Sequence, residues 1–321
     1  MLKDVNLAIA VGDDLLRYDF GPGHPMRSGR VAGFYRRLGE VGLLRDPRVK
    51  VVKPRAATVD ELHLFHTSDY VDLVRRMSER GTGLLDQGDT PAFKGMFEAS
   101  QYVVGTTLEC LEATMRESCY AFNPMGGLHH ARRDRAAGFC VFNDIGVSIQ
   151  RARRRHRVGR ILYIDIDAHH GDGVMYEYYD DKDLLTLDFH EDGHYLYPGT
   201  GFEYETGGRG ALGSKKNVIL QPGATDEDFR RELMAASDFI NDARPEFVIL
   251  QAGTDCLEHD PIATLSLTED AHRMVAEVAR DVADRTARGR LLVLGGGGYD
   301  PKNTAAGWLA VIETLLGSEV A

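Results

Sequence analysis

Short apolar, β-branched runs recur along this chain, and each breaks abruptly into polar or glycine-rich sequence. They occupy residues 158–167, 184–189, 217–220, 247–252 and 291–294, with a shorter run around 119–122. Continuous apolar runs of this length, without polar alternation, mark strands of a mostly parallel sheet covered on both faces. Between them lie stretches with apolar residues at helical spacing, such as 225–241 and 268–287, the latter with Thr268 placed as an N-cap. The pattern is α/β. Ligand sites in such sheets are built at the carboxyl edge of the strands. Just past these runs stand Gly126-Gly127-Leu128-His129-His130, Ala168-His169-His170-Gly171-Asp172, His190, Gly253-Thr254-Asp255 and Gly295-Gly296-Gly297-Gly298-Tyr299. Residues far apart in sequence are therefore expected to meet in one crevice.

Composition narrows the function classes. At 321 residues, 43% hydrophobic and 27% charged, the chain has the make-up of a globular protein rather than a disordered one. With no Ser/Pro-rich linker and no repeat, it reads as one domain spanning 1–321. Acidic residues outnumber basic ones by 49 to 38, a formal charge of −11 that argues against phosphate-backbone binding and against a nucleic-acid partner. The basic run RARRRHRVGR at 151–160 has no interleaved aromatics and reads as a solvated helix end. No apolar stretch approaches the ~20 residues of a bilayer span, and the start, MLKDVNLAIAVGDDLL, reads as neither signal nor anchor. Cys110, Cys119, Cys140 and Cys256 are scattered with no C-x-x-C pair, which points to neither a disulfide framework nor a thiolate zinc site. A cytoplasmic location is expected.

The densest chemistry lies in Asp165-Ile166-Asp167-Ala168-His169-His170-Gly171-Asp172. Period-two alternation along the strand turns Asp165, Asp167 and His169 to one side. Burying such charge requires pairing or a metal. An Asp-x-His pair offers one oxygen and one nitrogen to a divalent ion, and Asp255, beyond another strand, is the best third ligand. Two aspartates and one histidine leave a position open for water and substrate, and suit zinc, ferrous iron or cobalt. The adjacent His129 and His130 are the parts of an acid/base system, each needing an orienting partner. His63 and His66 read as structural, and His190, His194 and His259 as rim or surface residues.

With these motifs in order, together with Gly23-His24-Pro25-Met26, Gly138-Phe139-Cys140, Asn143-Asp144 and Pro198-Gly199-Thr200-Gly201, the chain resembles the zinc-dependent histone deacetylase family. Within it, the resemblance is to the acetoin-utilisation (AcuC-like) deacetylases of bacteria and archaea. It implies an arginase/deacetylase-like three-layer α/β/α domain with an eight-stranded, mostly parallel sheet. It also implies that Asp167, His169 and Asp255 bind Zn²⁺, and that His129 and His130 act on the water and the leaving amine, with Asp165 and Asp172 behind them. Tyr299 would donate to the oxyanion. Asp89 would hold the substrate backbone, while Gly138, Phe139, Tyr197 and Gly297 would border the acyl-lysine. A structural K⁺ would sit on main-chain oxygens near Asp165, Asp167, His169 and Phe189, plus the Asp188 side chain.

Two departures bear on specificity. Tyr197 occupies a wall position that is phenylalanine in many members, and Asp188 one that is often serine. The implied reaction is removal of acetyl from lysine side chains of proteins, with acetylpolyamines or other small acetylated amines as the competing substrates. A binuclear manganese ureohydrolase also carries Asp-Ala-His, but its second D-x-D motif and Gly-Gly-Asp-His segment are missing here. A non-catalytic acetyl-ligand binder would be expected to lack a catalytic residue, and none is missing. Oligomeric state is left open.

Overall fold

The computed structural model describes residues 6–117 and 119–317. In chain order the strands are β1 (Leu7–Ala10), β2 (Val49–Val52), β3 (Tyr120–Asn123), β4 (Ile161–Asp165), β5 (Leu184–Glu191), β6 (Lys215–Leu220), β7 (Phe247–Gln251) and β8 (Leu291–Leu294). The helices are α1 (Gly29–Glu40), α2 (Val59–Leu62), α3 (Ser68–Arg80), α4 (Met96–Glu117), α5 (Asp144–His156), α6 (Asp172–Glu177), α7 (Asp226–Ala235), α8 (Ser237–Ala243), α9 (Glu269–Thr286) and α10 (Pro301–Leu316). None of them is long and apolar enough to cross a membrane.

All eight strands join one sheet in the order β2-β1-β3-β8-β7-β4-β5-β6, and every pair is parallel. Strands β4, β7 and β8 are buried throughout, which is why they read as unbroken apolar runs. The outer ones carry lysines, Lys50 on β2 and Lys216 on β6, as befits sheet edges. Consecutive residues of β3 show the two covered faces. Phe122 packs edge-on against Phe34 of α1 and Trp308 of α10, at 5.5 and 5.8 Å between ring centroids. Asn123 instead donates to Val103 O and Thr107 Oγ1 of α4. Helices α1, α9 and α10 thus cover one face and α4 with α5 the other, an α/β/α sandwich.

Three sequence expectations change. β1 and β2 lie outside the runs read as strands, because Leu7–Ala10 is short and half alanine and β2 is an exposed edge. The helix expected over 225–241 is two helices that meet at Ala236, with no glycine or proline to mark the junction. Most important for chemistry, β4 ends at Asp165, so strand alternation does not reach Asp167 or His169. Arg151, Arg153 and Arg155 of the basic run are ion-paired with Glu61, Asp181 and Glu112, His156 Nε2 lies 3.2 Å from Glu112 Oε1, and all four cysteines are buried free thiols.

The strand order locates the site. The chain lays down β4, β5 and β6 outward from the middle, then returns to insert β7 and β8 between β4 and β3. The loops after β3, β8, β7 and β4, four neighbouring strands, therefore open at one edge beside the end of β5.

Candidate active site

Beyond β4 the backbone is irregular but ordered by its own carboxylates. Asp165 Oδ1 accepts the Asp167 N–H at 3.0 Å, and Asp167 Oδ1 accepts the His169 N–H at 3.0 Å. These two-residue side-chain-to-backbone turns, not strand alternation, bring the three side chains together. Asp255, just past β7, accepts the Ala168 N–H at 2.8 Å. The result is a buried triad in which one ligand atom each from Asp167, His169 and Asp255 lies within 4.8 Å of the others. His169 Nδ1 stands 3.1 Å from Asp167 Oδ1 and 3.0 Å from Asp255 Oδ2.

This oxygen–nitrogen–oxygen set fits a divalent ion. Without one, burial and the charge of Asp167 push Asp255 up to about 7, the behaviour of acids held together with too little positive charge. The set is braced from behind. Asp167 Oδ2 accepts from Gln251 Nε2 and from the Gly297 N–H, each at 2.7 Å. Gly297 therefore sits against the ligand carboxylates, where a Cβ would lie 2.2 Å from Asp255 Oδ2.

The histidines after β3 form a matched pair. His129 Nδ1 lies 2.8 Å from Asp165 Oδ2, His130 Nδ1 lies 2.7 Å from Asp172 Oδ1, and the two Nε2 atoms are 3.1 Å apart. Both Nδ1 atoms face carboxylates and carry hydrogens, so the short Nε2–Nε2 contact holds a single proton. The two environments decide where that proton rests. Burial opposes charge on His129, but Asp167 and Asp165 outweigh it and push its pKa up to about 10. Burial and the neighbouring His129 bring His130 down to about 4. Asp172 also accepts from Arg132 at 2.9 Å, which divides its charge. The turn bearing the pair is fixed by Asp144, whose buried carboxylate accepts the Gly127 and Leu128 N–H groups and the Thr107 hydroxyl.

Tyr299 follows the glycine turn after β8. Its N–H is held by Asp260 Oδ2 at 2.8 Å, and Arg30, buried over Trp308, donates to Gly296 O and Gly298 O. Burial and the charges of Asp255 and Asp167 raise the Tyr299 phenol well above its ordinary range. Its ring meets Phe139 edge-on at 5.8 Å. Opposite, Tyr197 packs edge-on to His130 at 5.1 Å, with Gly138 between them. Asp89 is exposed, and its main-chain carbonyl lies 3.1 Å from His24 Nε2.

Asp188 and Phe189 lie buried in β5. Asp188 Oδ1 is 2.7 Å from His190 Nδ1, and its Oδ2 accepts the Gly171 N–H at 2.9 Å. His190 Nε2 faces Gly201 O at 2.9 Å. With acceptors at both nitrogens His190 is held as an imidazolium, which balances the additional carboxylate. His190 is thus fully buried, not a rim residue, whereas His194 and His259 are exposed. His66 is structural, accepting the Asn143 N–H at 2.9 Å.

Gln251, Asp260 and Arg132 escaped the sequence reading, and Arg30 was unassigned. Their partners are set by packing between distant segments, and only the position of Gln251 at a strand end hinted at a role.

The histone deacetylase domain model matches residues 24–315. The chain belongs to the histone deacetylase family. It is 38% identical to the acetoin utilization protein AcuC of Bacillus subtilis over 94% of this chain and 81% of that one. To histone deacetylase 9 of Arabidopsis thaliana it is 34% identical, over 94% and 71%. The crystal structure of the HDA15 HD domain superposes with a TM-score of 0.88 at 26% identity, covering 98% of this chain and 90% of that one. Family, fold and buried triad together make this chain a metal-dependent deacetylase-type hydrolase with the arginase/deacetylase-like fold.

Proposed function

We propose that the enzyme removes acetyl groups from N-acetyl-lysine side chains of proteins, with Zn²⁺ held by Asp167, His169 and Asp255. The observation that carries this reading is the buried triad beside two histidines, 3.1 Å apart at Nε2 and each backed by a carboxylate. The ion supplies Lewis-acid polarisation of the amide carbonyl and acidifies water; Fe²⁺ or Co²⁺ would serve the same donor set. His130, the less basic ring, gives up its Nε2 contact with His129 to take the proton of the attacking water at that nitrogen. The imidazolium of the pair then returns a proton to the departing amine. The Tyr299 hydroxyl, kept protonated by its surroundings, donates to the developing oxyanion, a contact worth roughly 2.7–4 kcal/mol. Gly138, Phe139 and Tyr197 wall the acyl-lysine stem and Asp89 accepts from the substrate backbone. K⁺ is proposed on main-chain oxygens at Asp165, Asp167, His169 and Phe189, with a remaining lone pair of Asp188.

Tyr299→Phe is expected to lower kcat on an acetyl-lysine peptide about 100-fold or more, and wild-type turnover in both Tyr299→Phe and His130→Ala would overturn the mechanism. Side-by-side kcat/KM values on acetyl-lysine peptides and acetylpolyamines separate the two substrate classes.

A further inference from the structure

Residues 83–92 form a tight loop closed by Ala92 N–H to Gly83 O at 2.8 Å and Leu85 N–H to Thr90 O at 3.0 Å. Its interior is filled by one carboxylate. Asp86 Oδ1 accepts the N–H groups of Gly88, Asp89 and Thr90 at 3.0, 2.9 and 2.9 Å, and its Oδ2 accepts the Thr90 hydroxyl. Two further bonds tie the loop to the mouth of the site. Thr90 Oγ1 accepts the Phe139 N–H at 3.1 Å. His24 accepts the Met26 N–H at Nδ1, so its Nε2 carries the hydrogen and donates to Asp89 O at 3.1 Å. The backbone around Asp89 is therefore fixed on both sides while its carboxylate faces solvent.

We propose that Asp86 is a positioning residue that sets affinity for peptide substrates by holding Asp89 ready at the rim; this rests on the role given above to Asp89. A loop that must be ordered during binding weakens affinity through lost conformational freedom. Only a substrate whose main chain crosses the rim would feel the loss. Phe139 keeps a second anchor, the Tyr18 hydroxyl on Phe139 O at 2.6 Å, so its position does not rest on the Thr90 bond alone.

The test compares Asp86→Ala, Asp86→Asn and Asp89→Ala on an acetyl-lysine peptide and on a small acetylated diamine, with thermal unfolding as the check on folding. Asp86→Ala is expected to raise peptide KM about tenfold with kcat within about twofold, and to leave kcat/KM for the diamine within about twofold. Asp86→Asn, which keeps the acceptor for all three N–H groups, should restore the peptide KM. In the double variant the effects of Asp86→Ala and Asp89→Ala should not add. If Asp89→Ala raises peptide KM and Asp86→Ala does not, the proposal falls while the reading of Asp89 stands. If neither changes peptide KM, the role of Asp89 falls and takes the proposal with it. Equal kcat losses on both substrates in Asp86→Ala would make the residue a general support of the site and also overturn it.

Discussion

Gly138 measures how closely its loop is fitted to the histidine pair. Its φ is +51°, and a Cβ there would stand 2.4 Å from His130 Cδ2 and 3.0 Å from Tyr197 Cε1, where ordinary contact begins at 3.4 Å. Gly138→Ala therefore meets two penalties, about 1–2 kcal/mol for a left-handed alanine and about 1–3 kcal/mol for overlap in a packed wall. The His130 ring must recede by about 1 Å, loosening its 2.7 Å bond to Asp172 or its 3.1 Å contact with His129. A displacement of that size at a reacting group typically lowers the rate on the order of 100-fold. The assay is kcat/KM on an acetyl-lysine peptide alongside a melting curve. The control is Gly39→Ala in α1, where a Cβ meets nothing within 4 Å; it should leave activity intact and stabilise by up to about 1 kcal/mol. Wild-type kcat/KM and melting temperature in Gly138→Ala would refute the close fit.

Asp255→Asn should weaken divalent-metal binding by at least about tenfold in metal-content and titration measurements, and adding the ion at 100 times its Kd should stabilise the parent by about 2.7 kcal/mol. Burial lowers His66 to about 3 and His272 to about 4, against an ordinary 6.5. Above pH 6.5 neither state binds the proton; below it the unfolded chain does and the folded one does not, so stability falls with pH until the folded values are reached. Between pH 6.5 and 5 each histidine should remove about 2 kcal/mol, read by urea unfolding, and a His66→Gln variant should show a shallower fall. Trp308 is fully buried, and its Nε1 donates to Ala252 O and Gly295 O. Trp308→Ala should destabilise by about 3–5 kcal/mol and lower turnover by loosening the turn that carries Tyr299.

Much of the architecture was legible because strands buried on both faces must be apolar along their length; β4, β7 and β8 announced themselves that way, and β3, β5 and β6 through shorter apolar stretches. β1 and β2 did not, one being short and alanine-rich and the other an exposed edge. The metal triad was legible from residue type and place: acids and a histidine where apolar strands end have few reasons to be there. The stated geometry was nonetheless wrong, since Asp167 and His169 lie past the end of β4 and are aligned by carboxylate-to-backbone bonds that no periodicity announces. His190 shows the same limit. A histidine two residues after an aspartate reads equally well as rim or core until Gly201, from a later loop, supplies the second acceptor.

By itself the sequence determined which chemical groups stand at the strand ends, and that an α/β sheet would present them. Those are local matters of hydrophobic patterning and residue chemistry. Only the tertiary structure decided that β7 and β8 return to lie between β4 and β3, which brings Asp255 to His169 and Tyr299 to Phe139. It also decided how charge is shared among Arg132, Asp172, His130, His129 and Asp165. Such partnerships depend on distances between segments joined only by packing, and the free energy of each buried charge depends on all the others around it.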